Sequence, residues 1–366
     1  MILFTLGAAM VVGSAVGCIV TYKKPDTERD KLHTCFARAK LYIKNRADDQ
    51  WVYTYPSVNS HEQFKEHEEY TFTLPIGLDP ERIYKYYWVF KQGFGENIDL
   101  IGDTSKFTLK VYNSGIHQFD YNLLDIPLDG YRLPIVVGRS REGWEVYDMV
   151  DYPHLLVAGE TGSGKSTQLR SIISTLILSK HPDELQLYLA DMKRSEFHLF
   201  RGIEHVQEVV TEVKDLKRVL SFIAEEMQRR GDLCDEHEVS HIDDLPDQLP
   251  YIILAIDEVA LLKKEKACMA MVEDISSIGR ALGVFLIVSM QRPDHQVLDG
   301  KLKQNLTARM AFKHADGINS RITIGCEGAE DIKASERGLM LFKLDGIKRV
   351  QGPYLDLEEA KKLLGK

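Results

Sequence analysis

The residues Gly159, Glu160, Thr161, Gly162, Ser163, Gly164, Lys165, Ser166 and Thr167 fit the spacing GxxxxGK[ST]. Such a loop lets successive backbone N–H groups converge on phosphate oxygens, because its glycines put no Cβ in the way. The pattern acquires meaning only between a strand and a helix. Here the apolar run His154–Ala158 precedes it and the helical stretch Thr167–Leu178 follows. The helix N-terminus adds the positive end of its dipole. Lys165 is expected to reach the β and γ phosphates of ATP, and Ser166 to ligate Mg2+.

A second set of chemical groups closes another apolar run. Tyr251–Ile256 ends in Asp257 and Glu258. A carboxylate at the C-terminal edge of a buried strand faces the ligand crevice of an open α/β sheet. Asp257 is therefore expected to hold Mg2+, and Glu258 to orient or deprotonate an attacking water. A third run, Val284–Ser289, leads to Gln291, placed to sense a γ-phosphate. Arg280 precedes that strand and cannot easily fold back onto the strand's own tip. It reads as a cationic finger for a neighbouring subunit's ATP, with Arg309 and Arg321 as alternatives.

His237-Glu-Val-Ser-His241 matches the zinc-protease pattern HExxH. Its surroundings are Asp232, Asp235, Glu236, Asp243 and Asp244, which describe a solvated acidic connector rather than a half-apolar metal helix. The five cysteines (Cys18, Cys35, Cys234, Cys268 and Cys326) are odd in number and contain no CxxC, so no disulfide framework or cysteine zinc site is expected. The net charge of −9 argues against a protein that coats nucleic acid with its whole surface. Any DNA contact must be local, such as a pore lined by a few basic residues.

The elements that must position these groups read as follows. With 366 residues the chain is long enough for about two domains. Residues 1–20 carry no charged side chain, span about 30 Å as a helix, and are followed by Lys23, Lys24, Arg29 and Lys31. Residues 1–22 are thus expected to be a transmembrane anchor with the bulk of the chain cytoplasmic. A cleaved signal peptide would want a basic residue before the apolar run. Residues 23–132 read as a small α+β domain with a basic helical connector over 25–45. Within it are alternating strands at Glu69–Pro75 and Lys106–Tyr112 and a helix over Glu81–Gln92 that Asp79-Pro80 starts and Gly93 stops. Its many tyrosines are expected to pack rather than to stack on bases. From 133 to 366, after a hairpin at Val136–Arg139 and Trp144–Tyr147, apolar runs alternate with helical stretches, the pattern of a parallel sheet covered on both faces.

Several blocks in order carry a closer resemblance. They are Pro153–Thr167 (PHLLVAGETGSGKST), Ala190-Asp-Met-Lys193 with Glu196, Val209–Arg230, Leu249–Ala260 (LPYIILAIDEVA), Gly279–Pro293, Asn305–Phe312, Ser320-Arg-Ile322, Gly328-Ala-Glu330 and Gly338-Leu-Met340. Over about Leu133–Tyr354 the sequence resembles the FtsK/SpoIIIE family of DNA-pumping ATPases. The resemblance implies a RecA-like P-loop NTPase core, a homo-hexameric ring and DNA driven through its pore by ATP hydrolysis. Little sequence follows the core, so the family's winged-helix DNA reader is not expected, nor is its multi-span membrane region. A single-anchor motor is similar to the coupling proteins of Gram-positive conjugative elements. It would receive DNA, single- or double-stranded, from a relaxase complex and feed it to membrane channel proteins. The alternatives are an ATPase of the same family that exports protein, and a nucleotide-gated assembly scaffold.

Overall fold

The structure, a computed structural model, describes residues 28–47, 50–295, 297–298 and 300–366. The expected anchor, 1–22, lies outside them. No described helix is long and apolar enough to cross a membrane. The chain divides into two compact units, before and after Asn113/Ser114. Residues 114–132, grouped with the small domain on sequence, therefore belong to the larger unit.

The smaller unit comprises α1 (Glu28–Arg38), β1 (Ile43–Ala47), β2 (Gln50–Thr54), β3 (Ser57–Gln63), β4 (His67–Thr73), α2 (Glu81–Lys85), α3 (Tyr87–Phe94), β5 (Ile98–Gly102) and β6 (Lys106–Tyr112). Strands β3-β4-β6-β5 form an antiparallel sheet, and β1 and β2 a separate hairpin. Leu32 and Phe36 of α1 are fully buried with Phe72, Phe90 and Phe107. The expected basic connector is thus a core helix from Glu28 to Arg38, and the chain turns to strand at Ile43. The helix expected over Glu81–Gln92 is broken at Tyr86, which sits at φ −107° and ψ 20°, and it runs on to Phe94. Gly95, at φ 95°, ends it in place of Gly93. Asp79 accepts a hydrogen bond from the Glu81 amide at 3.0 Å.

The larger unit comprises β7 (Pro134–Ser140), β8 (Gly143–Asp148), β9 (Leu155–Ala158), α4 (Lys165–Ser179), β10 (Leu185–Asp191), β11 (Val206–Val210), α5 (Val213–Glu236), β12 (Tyr251–Asp257), α6 (Lys266–Ile278), β13 (Val284–Met290), α7 (Gly300–Asn305), β14 (Ala308–Ala311), α8 (Gly317–Ile324), β15 (Leu339–Lys343), β16 (Ile347–Gln351) and α9 (Leu357–Leu363). One sheet runs β11-β10-β12-β13-β9-β14-β15-β16-β7-β8. The first six strands are parallel and the rest antiparallel.

Strand alternation sorts the apolar runs between two cores. Leu155, Val157, Ile253, Ala255, Phe285 and Ile287 pack on the face that holds Leu169, Ile172 and Leu176 of α4. Leu156, Ala158, Ile252, Leu254, Leu286 and Val288 face Leu220 and Ile223 of α5 and Val272 and Ile275 of α6. Both faces are covered, which is why these strands read as continuous apolar runs. The parallel strands all end on one edge, so the groups following β9, β10, β12 and β13 share a crevice.

Candidate nucleotide site

The phosphate loop takes the conformation its glycines permit. Gly162 and Gly164 sit at φ 80° and 114°, in the left-handed region. A Cβ on Gly164 would lie 2.6 Å from the amide nitrogen of Gly338. The Gly338 amide in turn donates to the Ser163 carbonyl at 2.8 Å. Gly164 caps α4, whose first-turn N–H groups lack helical partners and present a positive end to the loop.

Behind the loop is a buried polar cluster. Lys165 donates to Asp257 Oδ1 at 2.9 Å and to Ser289 Oγ at 3.0 Å, and Ser289 donates to the same carboxylate oxygen at 2.5 Å. All three are at most 6% exposed. The cluster joins the tips of β12 and β13 to the start of α4. Glu258, 5% exposed, holds the left-handed φ of 62° that a non-glycine residue adopts only when its surroundings impose it. Its carboxylate accepts from Lys193 Nζ at 2.6 Å and, at 3.3 Å, from the Gln291 amide.

Ser166 donates its hydroxyl proton to Glu196. Glu196 is held in turn by the tip of β10: the buried Asp191 carboxylate accepts from the amides of Ser195, Glu196 and Phe197, each at 3.0 Å. Asp191 and Asp257 are register partners on adjacent parallel strands.

A cleft of about 750 Å3 opens onto the loop. Glu160, Thr161, Lys165, Ser166 and Gln291 line it, together with a wall that carries no motif: Gln118, Phe119, Asp120, Arg337 and Tyr354. Two contacts build that wall. Residues Phe119–Tyr121 pair with Tyr354 through backbone hydrogen bonds of 2.8 and 2.9 Å. The Arg139 guanidinium lies 4.6 Å from the ring centres of both Phe119 and Trp144.

The structure thus brings together Lys165, Ser166, Asp257, Glu258 and Gln291. Arg280 stands apart: it precedes β13, at the opposite end of the strand from Gln291, and donates to the Val150 carbonyl at 3.2 Å. Arg309 is spent inside the fold on the carbonyls of Lys303, Leu306 and Thr323, and burial lowers its pKa. Arg321 pairs with Glu327. The HExxH residues do not share a helix: α5 ends at Glu236, Glu238 turns to φ 55°, and His241 caps the next turn through Nδ1. Among the described residues no cluster of metal-ligating side chains appears.

Sequence reasoning missed Ser289, the sixth residue of an apolar run, whose hydroxyl alone marked it. Lys193 and Glu196 stand in the block Ala190–Lys193 with Glu196, which by itself gives them no role.

Residues 128–263 match the sequence profile of the FtsK/SpoIIIE family. DNA translocase FtsK of Borreliella burgdorferi is 34% identical over 249 residues, 64% of this chain and 32% of the relative. The chain spans about a third of the length of the curated relatives it matches. Among solved structures, the pCW3 conjugation coupling protein TcpA, in monomer form with ATPgS, has a TM-score of 0.64 at 24% identity and covers 92% of this chain and 98% of its own. ATPases 2 and 3 of EssC from Geobacillus thermodenitrificans reach 0.60 at 21% identity, over 68% of this chain and 50% of theirs. These two likenesses are of fold. Together with the phosphate loop and the acidic strand tip, both of which lie inside the matched stretch, they lead to one assignment: the chain carries a P-loop ATPase module whose residues 128–263 match the FtsK/SpoIIIE family.

Proposed function

We propose that the chain is a membrane-anchored, ATP-driven DNA translocase that acts as a coupling protein, taking DNA from a relaxase complex and feeding it to a conjugation channel. The observation that carries the reading is that Lys165 and Ser166 line the cleft at the tips of parallel strands, with Asp257 bonded to Lys165 behind it and Glu258 bonded to the amide of Gln291, another cleft residue.

The candidate donors are hard oxygens, from the Ser166 hydroxyl, the Glu196 carboxylate bonded to it and the Asp257 carboxylate bonded to the neighbouring Lys165, and they suit Mg2+. When bound, Mg2+ supplies neutralisation of phosphoryl charge. Lys165 exchanges Asp257 and Ser289 for the β and γ phosphates, and Asp257, so released, would be among the residues that hold Mg2+. Glu258 takes the proton of the water that attacks the γ-phosphorus as the bond to ADP breaks. Gln291, directly after β13, senses the γ-phosphate. Arg280, turned away from its own site, serves a neighbouring subunit in a hexamer.

Three observations support DNA as cargo. The curated relatives are DNA translocases. The likeness to the coupling protein extends over nearly the whole chain. The exposed Lys264 and Lys266 follow β12 and the exposed Arg292 follows β13, so local positive charge sits on the strand-tip edge of an acidic protein, beside the Lys263–Asp294 ion pair. The uncharged run 1–20 supports a single-pass anchor with the ATPase cytoplasmic. Export of protein is the second reading, favoured by the fold likeness to EssC.

ATPase assays with DNA, with protein substrates and with neither separate the readings, Lys165→Ala setting the baseline. DNA is expected to stimulate turnover, less so as salt rises. Stimulation by protein alone would select export. Turnover that responds to neither would favour a nucleotide-gated scaffold.

A further inference from the structure

The residues 192–196 reach both halves of the nucleotide site. Lys193 projects from this segment to Glu258, and Glu196 to Ser166. The segment is short and held at both ends. Asp191 secures the amides of residues 195–197, and the Phe197 ring, 1% exposed, is fixed in the core. Arg194, at φ 58°, makes the turn between them. A shift of Glu196 is therefore felt at Lys193, three residues away.

A water-activating carboxylate needs an oxygen open to water. Glu258 does not have one free of protein donors here: Lys193 is on Oε2 and the Gln291 amide is near both oxygens. The Glu258 side chain is 7% exposed and that of Lys193 is 32% exposed. The lysine thus closes the base off from the solvent side, and it can swing outward without disturbing the core.

We infer that Lys193 is a latch on Glu258, released when the 192–196 segment, which also holds Glu196 against Ser166, moves. Lys193 is a positioning residue: it acts on the base and not on the phosphates. This rests on the hydrolytic reading above and adds the regulation of that site. With the latch closed, bound ATP is hydrolysed slowly. When cargo or a neighbouring subunit moves the segment, Glu258 is freed and turnover rises.

The test is steady-state ATPase of the full chain with and without DNA, for wild type, Lys193→Met, Lys193→Arg and each lysine change combined with Glu258→Gln. Lys193→Met is expected to raise the DNA-free kcat about three- to tenfold, the span of an ordinary net hydrogen bond, since the lysine is partly open to water, with KM unchanged. The ratio of stimulated to basal rate should shrink to match. Lys193→Arg, which keeps a donor, should stay near wild type. The acceleration should vanish in the Glu258→Gln background. A basal kcat in Lys193→Met at or below wild type overturns the latch, and so does acceleration that survives Glu258→Gln. Should Lys193→Met fail to fold, a Lys193→Arg basal rate well below wild type would also overturn it. If wild type shows no turnover that Lys165→Ala abolishes, the hydrolytic reading itself fails and the latch with it. A latch failure alone leaves that Lys165-dependent turnover intact.

Discussion

Removing Lys165 should destabilise the nucleotide-free protein, and removing Asp257 as well should return much of the loss. The ammonium is 6% exposed and the carboxylate 2% exposed, and they meet at 2.9 Å. In Lys165→Ala the carboxylate stays buried with Ser289 as its remaining side-chain donor at 2.5 Å. Breaking a buried pair by deleting one partner costs about 3–5 kcal/mol, because the other charge is stranded. Ser289 stays on the carboxylate, so we expect about 3 kcal/mol, or about 6–12 °C in Tm for a unit of this size. Asp257→Asn in the same background removes the stranded charge and keeps an acceptor for Ser289. The double variant should therefore sit about 2 kcal/mol above the sum of the single changes. Calorimetry in EDTA without nucleotide reads all four forms. A Lys165→Ala protein within 1 °C of wild type, or strictly additive changes, would refute the resting ion pair.

Other consequences follow from residues outside that pair. His154 and His314 are each 1% exposed, and burial holds both at pKa about 4, so the folded protein binds fewer protons than the unfolded chain below about pH 6.5. Their contribution is complete above that pH and lost as pH falls towards 4. Urea unfolding should show about 2 kcal/mol per histidine lost between pH 7 and 4.5, and His314→Gln should flatten the slope; an unchanged slope would refute it. Arg230, 1% exposed, donates at 2.8 Å to the carbonyls of Pro250 and Leu282 and at 2.7 Å to Glu226. Arg230→Met should lower stability by about 3 kcal/mol through two orphaned acceptors, with ATP affinity unchanged in whatever remains folded; a loss under 1 kcal/mol would count against it. Gly164→Ala forces a Cβ to 2.6 Å from the Gly338 nitrogen at φ 114°. Binding of a fluorescent ATP analogue should weaken at least tenfold, roughly the effect of 1.4 kcal/mol of strain; unaltered affinity would show that the loop is not the site.

The parts of this fold that local sequence dictates were legible, and the parts made by distant contacts were not. The buried parallel strands announced themselves as short apolar runs because both faces are covered, and the phosphate loop did so because its chemistry fixes its glycines. The break at Tyr86 left no mark, since no glycine or proline interrupts Glu81–Gln92. The β15–β16 hairpin carries a local signal, Asp345-Gly346 at its turn. The wall of the cleft at Phe119 and Tyr354 joins segments more than two hundred residues apart, and no periodicity encodes such a meeting. Glu196 on Ser166 and Lys193 on Glu258 are of the same kind: ordinary charged residues in a loop, defined by what the tip of β10 puts them against.

The most direct measurement is a crystal structure of Glu258→Gln with Mg2+ and ATP. The account predicts uncleaved triphosphate in the Gly159–Thr167 loop, with Lys165 Nζ moved from Asp257 onto the phosphates, Ser166 on the metal and residue 258 facing the γ-phosphorus. ATP bound elsewhere, or a Lys165 still paired with Asp257 beside it, would contradict the account.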